Sequence, residues 1–338
     1  MTALKESRLR RRALSLISGG LDSILAAKVV QEQNIEVIGI NYTSPFWTTE
    51  NSVGFLKQIS EQAGFEIINV PVDNRYYEMV REPDHGHGKN INPCIDCKIY
   101  MIRKTGDLLK DMNADFVVTG EVLGQRPMSQ MSDKLRLIEK ESGLAGYLLR
   151  PLSAKLLPET IPEINGWIDR ERLLDINGRT RRIQNQLKIK YNITVFNPPA
   201  GGCLLTEIHF ERKMNDFFLH YRTNDENRIK LLKYGRHFRY NGVKIIVGRN
   251  HNENEMILSL RDRDDYIMEV PDIGSPATLI EQNADTTALK FAAGLTALYS
   301  DADYDPVTVR YFKSDKLLGT IETIRTDKET ADIYNLSL

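Results

Sequence analysis

The sequence predicts an α/β protein, a parallel-sheet domain followed by a smaller α+β domain. Two observations predict the first domain. Apolar runs at 13–17, 36–42, 65–70 and 115–120 alternate with helical patterns, and the first run ends in a glycine turn that opens a helix. The third observation is the change beyond residue 209, where a strand at 243–247, a helix at 288–298 and strands at 307–312 and 317–324 form a separate pattern. A chain of 338 residues is long enough for two such cores.

Residues 1–12, with Arg8, Arg10, Arg11 and Arg12, read as a basic arm, 13–208 as the first domain and 209–338 as the second. The turn after the first strand is Ser18-Gly19-Gly20-Leu21-Asp22-Ser23. Paired glycines let the backbone approach a ligand, and the N–H groups of the first helical turn face it. Ser18 and Ser23 add hydroxyls, so the stretch is an anion cradle. Asp22 would repel a phosphate unless it holds a cation, which points to Mg²⁺ between the carboxylate and a polyphosphate. A right-handed crossover carries the chain to the second strand and sets Asn41 and Tyr42 at the carboxyl edge of the sheet, bordering a nucleotide.

A helix is expected over 49–63 and a long loop over 82–93, where periodicity stops. His85 and His87 in that loop invite a metal reading, but a mobile lid over the substrate is the preferred one. The loop ends in Pro93-Cys94-Ile95-Asp96-Cys97, followed by a helix over 98–112. Cys-x-x-Cys at a helix start gathers two thiols where the helix dipole lowers their pKa. Residues 169–191 read as a cationic helix with Arg179, Arg181, Arg182, Lys188 and Lys190, suited to an RNA backbone. Residues 197–206 are irregular and carry Cys203. From 227 to 240, Arg228, Lys230, Lys233, Arg236 and Arg239 alternate with Tyr234, His237, Phe238 and Tyr240. That pattern reads either as an RNA surface or as an amphipathic element with snorkelling cations.

Composition narrows the class. Hydrophobic content of 41% and charged content of 27% are those of a soluble globular protein. A net charge of −1 gives no global attraction to nucleic acid, so RNA contacts must be local. No run of 18 apolar residues occurs, and the apolar stretch after the N-terminal arginines is too short for a signal peptide, so a cytoplasmic location is expected. Three cysteines, an odd number in a long chain, argue for metal or catalytic use rather than a disulfide framework.

The hexapeptide at 18–23 resembles the SGGxDS motif of the PP-loop ATP pyrophosphatases, which cleave ATP between the α and β phosphates. The resemblance implies an adenine nucleotide α-hydrolase-like fold that binds ATP and Mg²⁺. The segment Thr119-Gly120-Glu121-Val122-Leu123-Gly124-Gln125, continuing to Ser129 and Gln130, is similar to the TGxxxGQxxSQ segment of the tRNA 4-thiouridine synthetases, with one extra residue before Ser129. Arg150-Pro151-Leu152 followed by Lys155 is similar to that family's RPL segment, whose lysine is thought to face the α phosphate. These resemblances imply nucleotide binding by Ser18, Gly19, Gly20, Asp22, Ser23, Gly120 and Gln125, beside the Asn41 that topology places there. They imply catalytic roles for Asp22, Lys155, Cys97 and Cys203 in replacing a tRNA uridine oxygen with sulfur.

Three uses of the cysteines stay open at this point. Cluster-dependent tRNA thiolation enzymes of this superfamily use a Cys-x-x-Cys pair plus one distant cysteine, which implies a 4Fe-4S cluster on Cys94, Cys97 and Cys203 with one open iron. Persulfide chemistry, with one cysteine carrying sulfur and another resolving it, is the second. Structural zinc, needing His85 or His87 as fourth ligand, is the third. The segment from Val247 to Glu255 resembles the VGRNxxxNE segment of the NFACT RNA-binding domain, which implies that the second domain holds tRNA. The expected partners are tRNA and a sulfur donor, either sulfide or a cysteine desulfurase or carrier protein; homodimerisation stays open. A PP-loop enzyme acting on a substrate other than tRNA is the remaining alternative.

Overall fold

The computed structural model describes residues 10–47, 53–198 and 202–338. The chain divides into two compact units between Cys203 and Leu204. In the first unit the elements run β1 (Arg12–Leu16), α1 (Leu21–Gln31), β2 (Glu36–Thr43), α2 (Val53–Ala63), β3 (Ile67–Pro71), α3 (Asn74–Arg81), α4 (Cys94–Asp111), β4 (Phe116–Val118), α5 (Ser132–Glu141), β5 (Leu148–Leu149), α6 (Ile161–Ile164) and α7 (Arg182–Lys190). The five strands form one parallel sheet in the order β3-β2-β1-β4-β5, with Leu14 paired to both Ile38 and Val117.

Both faces of this sheet are buried, which is why its strands read as apolar runs rather than alternating patterns. Ala13 and Ile17 pack against α1, α2 and α7, while Leu14 and Leu16 face α4 and α5. The chain therefore leaves β1 to one side and reaches β4 from the other. Ligands of open parallel sheets sit where the connections diverge, at the carboxyl ends of the strands, and here that point lies between β1 and β4. Both carry candidate loops there: residues 18–23 after β1, and 119–125 after β4.

Local chemistry departs from expectation in three places. The α4 helix starts at Cys94, so both cysteines of the pair lie in its first turn, with Pro93 just before them. Proline is tolerated at a helix start because it lacks an N–H that would be unpaired there anyway. The cationic stretch 169–191 is helical only from Arg182, apart from a short 3₁₀ turn at Arg170–Arg172, because the segment before α7 hydrogen-bonds to the loop after β4. The loop at 82–93 is pinned rather than open. His85 Nδ1 meets Asp96 at 2.8 Å and its Nε2 lies 3.4 Å from Glu141, while His87 Nε2 meets the Val80 carbonyl at 3.0 Å. Near the N-terminus, Arg12 is the first residue of β1 and Arg11 pairs with Asp115.

In the second unit come α8 (Ile208–His220), α9 (Glu226–Leu231), β6 (Arg236–Tyr240), β7 (Val243–Val247), α10 (His251–Leu260), β8 (Tyr266–Glu269), β9 (Thr278–Ile280), α11 (Thr286–Leu298), β10 (Val307–Lys313), β11 (Lys316–Thr323) and α12 (Lys328–Ile333). Six strands form an antiparallel sheet in the order β11-β10-β8-β9-β7-β6. On one face Ala288, Ala292 and Leu295 of α11 pack on Ile245, Ile280 and Val309. On the other, Leu231 and Ile257 cover Ile246, Ile267 and Leu279. The unit is α+β, as its pattern predicts.

The basic and aromatic alternation at 227–240 is largely absorbed by this unit's own packing. Arg228 pairs with Asp262 and, at 2.8 Å, with Asp265. Arg239 holds Asp216 at 2.7 Å and Glu281 at 3.2 Å, Lys230 holds Glu226, and the Arg236 guanidinium lies 4.3 Å from the centre of the Tyr299 ring. His237 and Phe238 are fully buried. The acids that neutralise these cations all lie outside the stretch itself, and only Glu226 adjoins it, which is why the local pattern resembles a free basic surface. Among the described residues no helix is long and apolar enough to cross a membrane.

Candidate active site

The glycine turn at 18–23 does what the residue types require. Gly19 has φ = 78°, a backbone region that L side chains rarely adopt. Gly20 is the extended residue before α1, and no side chain caps that helix. The first N–H groups of a helix have no partner within it, so an uncapped start offers them to an anion. The Ser23 hydroxyl donates to the Gly20 carbonyl at 2.7 Å, and Ser18 Oγ lies 3.5 Å from Ser23 Oγ. From far along the chain, Asn197 N–H donates to the Gly19 carbonyl at 2.7 Å, so this segment buttresses the turn.

The loop after β4 closes on the same point. A Cβ on Gly120 would lie 2.5 Å from the Ser23 nitrogen and 2.6 Å from the Asp22 carbonyl carbon, so only glycine allows this approach. Asp22 Oδ2 accepts from Gln125 Nε2 at 2.7 Å, and Gln184 Nε2 donates to Gln125 Oε1 at 3.3 Å. Arg181 stands 3.6 Å from the same Asp22 oxygen. The other oxygen, Oδ1, is buried with no hydrogen-bond partner among the described residues. An orphaned carboxylate oxygen in an anion cradle fits a cation between it and a polyphosphate. Asn41 and Gln130 likewise hold buried amide oxygens without hydrogen-bond partners among the described residues; the Asn41 amide N–H donates to the Ile17 carbonyl at 2.6 Å.

One cleft of about 360 Å³ joins these groups to the sulfur residues. Ser18, Asp22, Asn41, Gly120 and Gln125 line it, and so do Trp47, Cys97, Lys98 and Cys203. Cys94 is not on the lining but is tied in through Asn92, whose amide oxygen accepts from Cys94 Sγ at 3.0 Å and whose amide nitrogen donates to Cys203 Sγ at 3.7 Å. Trp47 and Cys203 form an antiparallel backbone bridge, and the Tyr76 hydroxyl meets Cys97 Sγ at 3.3 Å. Burial pushes the Cys97 thiol up to about 12, the neighbouring Cys203 and Cys94 adding to it against Tyr76 and Lys98. Burial also raises Cys94, opposed by Lys98 and Arg126. No three His, Cys, Asp or Glu side chains among the described residues are grouped to grip one ion. His85 and His87 are spent elsewhere, so neither supplies the fourth ligand that zinc requires.

Lys155 departs from its expected place. It does not line the cleft, and its ammonium is held by the Glu171 carbonyl at 2.8 Å and carboxylate at 3.0 Å. Sequence reading missed Lys98, Asn92, Trp47 and Asn197. A signal existed for two of them: Lys98 directly follows Cys97, and Trp47 lies just past the end of β2.

Lys98 is held by a buried triad. Its ammonium lies 2.6 Å from Glu121 Oε1, and Arg150 Nε lies 2.9 Å from Glu121 Oε2. Although burial opposes its charge, Lys98 and Arg150 hold the Glu121 carboxyl down at about 2. Glu121→Gln is expected to destabilise the protein by about 3 kcal/mol in urea unfolding, because two cations lose a buried partner. The carboxyl is lowered on folding, so the triad's contribution is complete above pH 4.5 and fades as pH falls toward 2. The unfolding midpoint should therefore fall more steeply over that window in the wild type than in the variant.

Comparison with known proteins bears on this geometry. Residues 9–157 match the family profile described as thiamine biosynthesis protein (ThiI), and residues 235–334 match that of the NFACT protein RNA binding domain. Each match spans less than half of the chain, so the first is a likeness to a ThiI-type domain and the second a likeness to an NFACT-type domain. A tRNA-specific 2-thiouridylase of Syntrophus aciditrophicus is 32% identical over 133 residues, 35% of this chain and 35% of that protein. A probable tRNA sulfurtransferase of Thermococcus kodakarensis is 27% identical over 168 residues, 49% of this chain and 39% of that one. This chain thus spans little more than a third of the length of either relative. A 4-thiouridine synthetase in complex with RNA and bound ATP aligns over 39% of this chain and 34% of that chain, at 22% identity and a TM-score of 0.33. The ThiI-type match stops at 157, so Arg181, Asn197 and Cys203 come to the cleft from beyond it, as does Gln184 behind Gln125.

Proposed function

We propose that this chain is an ATP-dependent tRNA uridine sulfurtransferase, forming 4-thiouridine or 2-thiouridine. The observation that carries the reading is one cleft walled both by the glycine turn of the ThiI-type domain and by Cys97 and Cys203. A uridine carbonyl is a poor electrophile because its oxygen is a very poor leaving group. Attack of that oxygen on the α phosphorus of ATP breaks the α–β bond, releases pyrophosphate and leaves the oxygen as part of an adenylate. A sulfur nucleophile then adds to the ring carbon, the carbon–oxygen bond breaks, and AMP departs with the oxygen. With sulfide as donor the exchange needs no reductant.

The chain's own groups suit each stage. The uncapped start of α1 and the Ser18 and Ser23 hydroxyls receive the polyphosphate. Asp22 would hold Mg²⁺, which neutralises phosphate charge when bound. Cys94, Cys97 and Cys203 would hold a 4Fe-4S cluster, which supplies sulfur-transfer chemistry when bound. What favours a cluster over zinc is that Asn92 contacts both Cys94 and Cys203, Cys97 shares the cleft with Cys203, and His85 and His87 are engaged elsewhere. Trp47, Tyr42 and Met101 give the cleft apolar walls that limit hydrolysis of the adenylate. The NFACT-type domain is the candidate holder of tRNA.

The test is made on anaerobically purified protein. Iron, sulfide and the absorbance spectrum are measured, then ATP, Mg²⁺, sulfide and unmodified tRNA are added, and thiouridine is sought by nucleoside mass spectrometry alongside pyrophosphate release. Thiouridine formed only with ATP is the expected result. A colourless, iron-free protein that still thiolates tRNA would replace the cluster with persulfide chemistry, and a protein that releases no pyrophosphate with ATP and tRNA would end the sulfurtransferase reading.

A further inference from the structure

A polyphosphate entering this cleft brings several negative charges next to Asp22, so a positive side chain is needed there besides any metal ion. Lys155 is turned onto Glu171 and does not reach the cleft. Three cationic side chains do line it: Lys98, Arg126 and Arg181. Lys98 is committed to Glu121 at 2.6 Å. Arg126 lies close enough to Cys94 to favour its thiolate, so it serves the sulfur end. Arg181 alone of the three stands beside the glycine turn, 3.6 Å from Asp22 Oδ2.

We propose that Arg181 grips the β and γ phosphates and stabilises the departing pyrophosphate. The proposal rests on reading the cleft as an ATP site. At 3.6 Å the contact with Asp22 is an ion pair too long for a hydrogen bond, and that oxygen already accepts from Gln125. The guanidinium is 31% exposed and donates no hydrogen bond to another described residue, so its planar fork is open to phosphate oxygens. Its loop is held on both sides. Upstream, Asn177 forms a parallel bridge with Leu123, and Gly178 N–H donates to the Leu123 carbonyl at 2.7 Å. Downstream, Gln184 reaches Gln125, the residue that orients Asp22. Arg181 is thereby aimed from outside the ThiI-type match by contacts to the loop that also carries Gly120.

The experiment compares wild type, Arg181→Ala, Arg181→Lys and Lys155→Ala. Binding of ATP and of AMP is measured by calorimetry with Mg²⁺, and pyrophosphate release with tRNA gives kcat and KM for ATP. A charge-assisted contact to the outer phosphates predicts that Arg181→Ala weakens ATP about 10- to 100-fold while AMP affinity stays within about twofold. Arg181→Lys should recover part of the ATP affinity, because a point cation replaces a fork, and Lys155→Ala should match wild type. Equal weakening of ATP and AMP would show that Arg181 only positions Asp22, and unchanged ATP affinity would remove it from the phosphate site; either result overturns the proposal. A wild type that binds neither nucleotide would instead overturn the ATP-site reading itself. Should Arg181→Ala fail to fold, the lysine variant with the ATP-to-AMP ratio still decides.

Discussion

Asp22→Ala is expected to abolish ATP-dependent pyrophosphate release, by about a thousandfold or more, with little change in melting temperature. The large kinetic effect follows from where the two carboxylate oxygens point. Oδ2 accepts from Gln125 and sits beside Arg181, while Oδ1 is buried and unpartnered. A buried charge with an unpartnered oxygen costs stability, so its removal offsets the loss of the Gln125 hydrogen bond. A group that weakens the resting protein while facing an anion cradle is explained by a cation and phosphate that arrive with the substrate. Pyrophosphate release measured against Mg²⁺ concentration checks this: wild type should respond steeply and Asp22→Ala should not respond at all. A variant that folds and still turns over ATP at more than a tenth of the wild-type rate would remove Asp22 from the chemistry.

How far the sequence could reveal this site depends on whether each feature is local. The glycine turn, the strands beside it and the residue at 120 are written in short stretches, because a parallel strand buried on both faces is apolar throughout. Gly20 and Ser23 therefore lie where the motif predicts them, at an uncapped helix start. Strand β5 has only two residues, Leu148 and Leu149, too few for any periodicity to register. Lys155 and Arg181 are a different case, since both are cations in polar stretches and only the tertiary fold decides which one reaches Asp22. The partners that decide are Glu171 for the lysine and Leu123 with Gln125 for the arginine loop. The same limit explains residues 227–240, whose cations meet Asp216, Asp262, Asp265 and Glu281, all outside the stretch. A run of basic and aromatic residues shows what could bind RNA but not which charges are already neutralised within the fold.

Topology also explains why the glycine turn and the cysteines share so small a cleft. The divergence between β1 and β4 opens one crevice, and the glycine turn occupies the β1 side. The α4 helix starts at the same edge, so Cys94 and Cys97 come in its first turn, and Asn92 just before it bridges to Cys203. Asn197 then meets the turn at Gly19, and Cys203 bridges to Trp47. A segment outside the ThiI-type match is thus part of the same site, and its removal should cost activity even with the family motif intact.

The second large effect separates the two half-reactions. Cys97→Ser is expected to lower thiouridine formation at least about a thousandfold while leaving a burst of pyrophosphate, about one per active site, when ATP and tRNA are mixed with enzyme. The serine is nearly isosteric and can keep the Tyr76 contact, so stability should change little. Activation of the uridine oxygen uses the groups around residues 18–23 and needs no sulfur, so pyrophosphate should still leave once. Without a complete sulfur site the adenylate meets no sulfur nucleophile and turnover stops there. Cys203→Ser should behave alike, since both residues line the cleft, whereas Cys94 stands behind the lining and joins them only through Asn92. Cys94→Ser should therefore leave adenylation intact and act through the sulfur site alone, with iron content falling in all three variants. Quenched-flow measurement of pyrophosphate beside nucleoside mass spectrometry reads both halves. Loss of the burst in Cys97→Ser would mean that the thiol takes part in activation, and retained thiolation would mean that sulfur reaches the uridine by another route.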